Sequence, residues 1–287
     1  MARANRAEAR ARLAHMSATF PATTTPLPWA ELTGADVRAV IGVLTDIDDT
    51  LTTAGAITQD ALAALTQLEA AGLPVIAITG RPAGWSEPFA LAWPIDAIVA
   101  ENGAVALFRK GDALTTEYAQ DEATRARNAR RLHEVAARVL REVPGATLAQ
   151  DSAGRVTDIA IDHSEFAHLS STQIDAAVAV MRDEGMNVTV SSIHINGWFG
   201  EHTKLSGARW IVQRLLQRDL DAERERWVYV GDSTNDQLMF GHFPLSVGVS
   251  NLMDFASALT TWPRYITEAA RGAGFAQVAR HLLLSRR

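Results

Sequence analysis

Cysteine is absent from the 287 residues. That excludes disulfide staples, thiolate nucleophiles and cysteine-ligated zinc. It also accords with a reducing compartment, so a cytoplasmic setting is expected. No apolar run approaches the length that a bilayer-spanning helix requires, so no membrane role is expected. A strong excess of one charge is missing too: 27 Lys and Arg against 33 Asp and Glu leave a net charge of −6. This balance argues against general nucleic-acid binding. Internal repeats are lacking, and low complexity is confined to the N-terminus. What remains is ordinary globular material, 47% hydrophobic and 21% charged, enough for one large domain or for a core with an insertion.

The first residues, Met1 to His15, are rich in Ala and Arg (Arg3, Arg6, Arg10, Arg12) but lack the apolar centre of a secretory signal. They read as a solvated tail, with Met16 an alternative start, and Thr23 to Pro28 reads as a linker. Residues 1–35 are therefore expected to be a flexible extension.

Beyond them strand and helix patterns alternate. Val40–Leu44 is an apolar strand, and Thr58 caps a helix with Leu62, Leu65 and Leu68 on one face. Val75–Ile78 is apolar throughout, as strands buried on both faces are. Ala97–Ala100 is a shorter strand. From about Asp112 to Asn196 the pattern changes. A charged helix near Asp121–Arg141, strands at Ala146–Ala149 and Val156–Ile161, a helix at Gln173–Glu184 and a strand at Val188–Ile195 read as a small α+β module with one polar sheet face. The first pattern resumes with a helix at Lys204–Gln217, a buried strand at Trp227–Val230, and short strands at Ser246–Val249 and Tyr265–Ile266. The expected architecture is α/β: a doubly wound, Rossmann-like parallel sheet core (36–112 and 196–287) with an inserted α+β cap domain (113–195).

The most telling segment is Thr45-Asp46-Ile47-Asp48-Asp49-Thr50, at the end of the first strand. Open α/β sheets bind ligands at the carboxyl ends of their strands, and charges placed there need a metal, a partner or a task. Thr79 closes the second strand, followed by Gly80, Arg81 and Pro82. Lys204 opens the helix after the insertion, and Gly231-Asp232-Ser233-Thr234-Asn235-Asp236 follows a later strand. Together they supply a nucleophile, an acid, a hydroxyl, a cation and further carboxylates, the inventory of phosphoryl transfer.

This set resembles the haloacid dehalogenase-like (HAD) hydrolase superfamily. Asp46 to Thr50 matches its DxDx[TV] motif, Thr79 its second motif, Lys204 its third, and Gly231 to Asp236 its GDxxND motif. An α/β insertion between the second and third motifs resembles subclass IIB, which includes Cof-like, sucrose-phosphate, trehalose-phosphate and mannosyl-3-phosphoglycerate phosphatases. Glu101-Asn102-Gly103-Ala104 is similar to a turn common there. The resemblance implies a Mg²⁺-dependent phosphomonoesterase acting on a small phosphorylated metabolite, with a sugar phosphate the expected substrate. Asp46 would be the nucleophile, Asp48 the acid and base, and Thr79 and Lys204 the phosphoryl-oxygen ligands. Mg²⁺ would lie on Asp46, the backbone carbonyl of Asp48, and Asp232, with Gly80, Asn235 and Asp236 in support. Two departures stand out: Asp49 where many relatives have Gly, expected to face away from the metal, and Leu205 after the lysine. Candidate substrate contacts are Arg81, Trp85, Asn102, His194, Asn196 and Trp198. A phosphomutase on the same scaffold and a non-catalytic phosphosugar-binding regulator are the alternatives.

Overall fold

The computed structural model describes residues 25–32 and 35–286; the Arg-rich start lies outside the described residues. Strand β1 (Leu27–Pro28) and helix α1 (Ala35–Arg38) lead to β2 (Gly42–Thr45) and a hairpin of β3 (Thr52–Thr53) and β4 (Ala56–Ile57). Next come α2 (Gln59–Ala70), β5 (Val75–Ile78), α3 (Ala83–Ala92), β6 (Ala97–Ala100), β7 (Val105–Lys110) and β8 (Ala113–Tyr118). The insertion holds α4 (Glu122–Glu142), β9 (Thr147–Leu148), β10 (Asp158–Asp162), α5 (Ser171–Asp183), β11 (Asn187–Val190) and β12 (His194–Trp198). The chain returns through α6 (Lys204–Leu216), β13 (Trp227–Gly231), α7 (Gln237–His242), β14 (Leu245–Gly248), β15 (Tyr265–Ile266) and α8 (Arg271–Leu284).

The core strands form one nine-stranded sheet in the order β1-β15-β14-β13-β2-β5-β6-β7-β8. It is parallel from β1 to β6, and β7 and β8 join antiparallel. Strand alternation sorts its side chains into two cores. Val43, Val75, Ala77, Val228 and Val230 meet Leu65 and Leu68 of α2 and Phe275 and Leu282 of α8. Leu44, Ile76, Ile78 and Tyr229 meet Ala208, Ile211 and Val212 of α6 and Met239 and Phe240 of α7. The doubly wound expectation is what the structure shows. Because β2, β5 and β13 are adjacent and parallel, the segments that follow them emerge at one sheet edge.

The insertion has its own four-stranded antiparallel sheet, β11-β12-β10-β9. Ile159, Ile161 and Ile195 point into an apolar layer with Leu132, Val135 and Val139 of α4 and Ala177 and Met181 of α5. By alternation Asp158, Asp162, His194, Asn196 and Trp198 share the opposite face. Asp121 caps α4 by accepting the Thr124 N–H, and Ser170 with Gln173 forms a capping box at α5.

Three details differ from the sequence reading. Val188–Ile195 is not one strand: the chain turns at residues 191–193, where Ser191 N–H donates to the His194 carbonyl, so β11 and β12 form a hairpin. Residues 113–118, placed in the insertion by sequence, pair with β7 in the core sheet, and residues 196–198, placed in the core, belong to β12 of the insertion's sheet. Leu27–Pro28 pairs with β15, and Trp29 is buried edge-on to Tyr265, so this part of the expected extension packs on the core. A Leu-Pro dipeptide after another proline carries too little periodicity to reveal an edge strand.

Candidate active site

The backbone N–H of Asp46 extends the sheet by donating to the Val230 carbonyl at 2.8 Å, which seats its buried carboxyl between β2 and β13. The chain then turns at Asp49, which adopts a left-handed φ of 53°. Asp tolerates that region better than most side chains. The Asp49 carboxylate accepts a hydrogen bond from Arg271 Nε at 2.9 Å.

Asp232 and Asp236 follow β13, and single carboxylate oxygens of Asp46, Asp232 and Asp236 lie within 4.8 Å of one another. Asp236 is the organiser of its loop. Its Oδ2 accepts the N–H groups of Asp232 (2.9 Å) and Ser233 (3.2 Å), while its Oδ1 accepts from Tyr229 Oη and from Lys204 Nζ at 2.7 Å. Lys204 Nζ also donates to Asp46 Oδ1 at 2.6 Å, so one buried ammonium bridges two of the three acids. Asn235 lies on the short turn between, its Oδ1 accepting from Ser233 Oγ.

What aims Lys204 is backbone packing. Thr203 caps α6, and Gly207, one turn in, lies against Gly103, with an added Cβ meeting the Gly103 Cα at 2.5 Å. Gly103 is itself left-handed (φ 109°) beneath the Thr203 carbonyl. The turn from Glu101 to Gly103 thereby fixes where α6 begins.

Electrostatically the cluster is short of positive charge. Burial drives the Asp46 carboxyl up to about 8 despite Lys204 nearby. Asp232 is pushed well above its ordinary value by burial and by Asp46 and Asp236. Its Oδ1 is buried with no hydrogen-bond donor among the described residues. Three desolvated carboxylates, one ammonium and an unpaired oxygen fit a hard divalent cation with oxygen ligands.

Asp48 sits beside this cluster and is gripped by Arg81, whose Nε donates to both carboxylate oxygens at 3.0 Å. Burial raises the Asp48 carboxyl and Arg81 opposes the rise. Thr79 is fully buried at the end of β5, its Oγ1 accepting the Arg81 N–H at 3.0 Å. The Gly80 carbonyl accepts Arg155 at 2.9 Å and Asn196 at 3.3 Å, both from the insertion.

The remaining sequence candidates divide. Arg81, His194 and Asn196 are brought together at the boundary between core and cap, where His194 Nε2 meets Glu165 Oε2 at 3.0 Å. Asn102 is buried and left-handed beside Gly80, its amide nitrogen without a partner among the described residues. Trp85 packs on Phe89 with Arg81 above its ring. Trp198 gives its indole N–H to the His202 carbonyl and stacks on the His202 ring, a packing role. Sequence reasoning missed Tyr229, Glu101, Asp151, Arg155, Asp158 and Glu165. Tyr229 alternates with core residues, and the others reach the site through contacts with segments far apart in the chain, although Arg155 also pairs locally with Asp151 and Asp158.

Residues 43–138 match the sequence profile of the haloacid dehalogenase-like hydrolases. The match spans 96 of the 287 residues, from β2 into α4, so over that part the chain is similar to those hydrolases. The chain also shares its fold with solved structures of low identity. A Thermoplasma acidophilum protein has a TM-score of 0.64 at 16% identity, covering 85% of this chain and 99% of its own. The sucrose-phosphatase of Synechocystis, solved with sucrose and phosphate, has a TM-score of 0.61 at 15% identity, covering 85% and 98%. A HAD subclass IIB sugar phosphatase has a TM-score of 0.55 at 16% identity, covering 85% and 99%. No curated protein matches the sequence of this chain. No helix among the described residues is long and apolar enough to cross a membrane.

Proposed function

We propose that this hydrolase is a Mg²⁺-dependent phosphomonoesterase acting on a small phosphorylated metabolite, a sugar phosphate by preference. The observation that carries the reading is the convergence of Asp46, Asp232 and Asp236, two of them bridged by the Lys204 ammonium, with Asp48 two residues from Asp46. The neighbours named as sucrose-phosphatase and sugar phosphatase support the substrate class.

An oxygen of Asp46 attacks phosphorus as the bond to the leaving oxygen breaks, giving an aspartyl-phosphate, and Asp48 delivers a proton to the departing alkoxide. Asp48 then takes a proton from water, whose oxygen displaces Asp46 and releases inorganic phosphate. Two easier displacements replace one difficult one. Thr79 Oγ1 and Lys204 Nζ hold phosphoryl oxygens, and Asp236 keeps Lys204 aimed at Asp46. Asp46, Asp232 and the Asp48 carbonyl would hold Mg²⁺, which when bound offsets the repulsion between carboxylate and phosphate.

The test is phosphate release over a panel of phosphorylated metabolites with Mg²⁺ present, with identification of the organic product. Free phosphate and the dephosphorylated alcohol are expected, and an isomerised sugar phosphate would replace this reading with a mutase. Asp46→Asn is expected to lose at least about a thousandfold in kcat, the scale of removing a nucleophile that works with its partners. Wild-type rates in that variant would remove Asp46 from the role.

A further inference from the structure

Arg81 sits among three carboxylates. Its Nε is on Asp48, its Nη1 reaches Asp151 at 3.1 Å, and its Nη2 reaches Glu165 at 2.7 Å. All three of its nitrogens are engaged. The cation lies beneath the anions: the Arg81 side chain is 5% exposed, against 14% for Asp48, 12% for Asp151 and 20% for Glu165. A molecule approaching Asp48 therefore meets carboxylate oxygens first. A second buried cation, Arg155, is spent on Asp151 and Asp158.

The arrangement is built rather than incidental. Asp162 accepts the backbone N–H groups of Ser164, Glu165, Phe166 and Ala167 at 2.9–3.1 Å, which folds that cap loop into a tight turn. The turn presents Glu165 to Arg81, and His194 secures its other oxygen. Burial alone would raise the Glu165 carboxyl, but hydrogen bonds from His194 and Arg81 outweigh it and hold it at about 2, so it stays ionised.

We propose that Arg81, Asp151, Glu165 and His194 form the subsite for the leaving group, and that it selects an uncharged, hydroxyl-rich alcohol over one bearing a carboxylate. The proposal rests on the phosphatase reading, since it places the leaving group beside Asp48. Ionised carboxylates only accept hydrogen bonds. A polyol supplies donors to Glu165 and Asp151. A carboxylate supplies none, finds Arg81 already saturated, and adds like charge in a poorly solvated place.

The experiment uses two matched pairs, sorbitol phosphate with phosphogluconate and glycerol phosphate with phosphoglycerate. Each pair differs chiefly by a hydroxymethyl in place of a carboxylate. Each compound is read as a competitive inhibitor of p-nitrophenyl phosphate hydrolysis, which gives an affinity whether or not it is turned over. The neutral member of each pair is expected to bind at least about tenfold more tightly, equivalent to about 1.4 kcal/mol. Glu165→Gln and Asp151→Asn are expected to narrow that ratio at least about threefold, a change that loss of folded protein alone would not produce. Equal or tighter binding of the carboxylated members, failure of all four to inhibit, or an unchanged ratio in both variants would overturn the subsite. If p-nitrophenyl phosphate and the metabolite panel are all left intact, the phosphatase reading fails and takes this proposal with it.

Discussion

Glu101 is the residue whose replacement should cost this protein most outside its catalytic groups. Its carboxylate is fully buried between core and cap. It accepts the Ala83 N–H at the start of α3 (3.0 Å), the Val156 N–H (3.1 Å), and the Thr157 N–H and Oγ1 (2.6 Å each). Ala83 belongs to the core and the other two residues to the insertion, so one side chain joins them. Beside it Gly84 and Gly154 touch backbone to backbone, with a Cβ on Gly84 meeting the Gly154 Cα at 2.9 Å. Glu101 is also left-handed, with a φ of 49°, a conformation that costs about 1 kcal/mol or more and persists only where surroundings enforce it. Glu101→Ala leaves four donors without their acceptor. At about 1 kcal/mol each, after allowing for water entering the gap, the loss is about 4 kcal/mol. Glu101→Gln keeps the volume but turns an amide N–H₂ toward donors, for a loss of about 2 kcal/mol. Chemical unfolding followed separately by Trp198 in the cap, in a variant whose core tryptophans are replaced, and by the core tryptophans in a Trp198→Phe variant is the assay. The loss should come with non-coincident transitions, because the cap is untied from the core. A change below about 0.5 kcal/mol in Glu101→Ala, the scale of an ordinary surface substitution, would refute the argument.

Protonation adds a second expectation. The Asp46 carboxyl moves from 3.8 to about 8 on folding. The folded state therefore binds the proton more tightly, and the stabilisation present below about pH 4 is lost as pH rises toward about 8. Chelator-treated protein should melt lower at pH 8 than at pH 6, and Mg²⁺ should restore more stability at the higher pH; the reverse order would contradict the charge-poor cluster. His202 behaves oppositely, since burial lowers its pKa from 6.5 to about 4. Stability should fall by about 2–3 kcal/mol as pH drops from about 6.5 to 4, and a His202→Gln variant that keeps the full slope would rule this group out as its cause. Gly207→Ala drives a methyl into Gly103 and must displace α6, so both stability (about 1–3 kcal/mol) and kcat should fall as Lys204 leaves its aim. Unchanged kcat would mean that Lys204 placement does not depend on that contact.

The sequence disclosed those parts of the site that local physics dictates. Asp46, Thr79 and Asp232 were legible because each ends an apolar run, and a buried strand that terminates in a polar group advertises the working edge of a parallel sheet. Lys204 was legible because it begins an amphipathic helix after the composition had returned to that of the core. The cap's share was not legible. Glu165 is one acid in a polar loop until Asp162 four-fold anchors that loop and Arg81 arrives from 84 positions away. Glu101 reads as the first letter of a turn, yet its partners at 156 and 157 lie 55 and 56 residues on. Period and propensity describe how one segment presents its faces, whereas these residues gain meaning only when two polar faces meet. The same distinction explains the misread hairpin at residues 191–193. Its two arms carry one continuous β-like pattern, and only the return of β12 to lie beside β10 sets where the turn must fall. A site assembled across a domain boundary thus shows its chemistry in the motifs of one partner, while the groups proposed to select the substrate reside in pairings no single segment encodes.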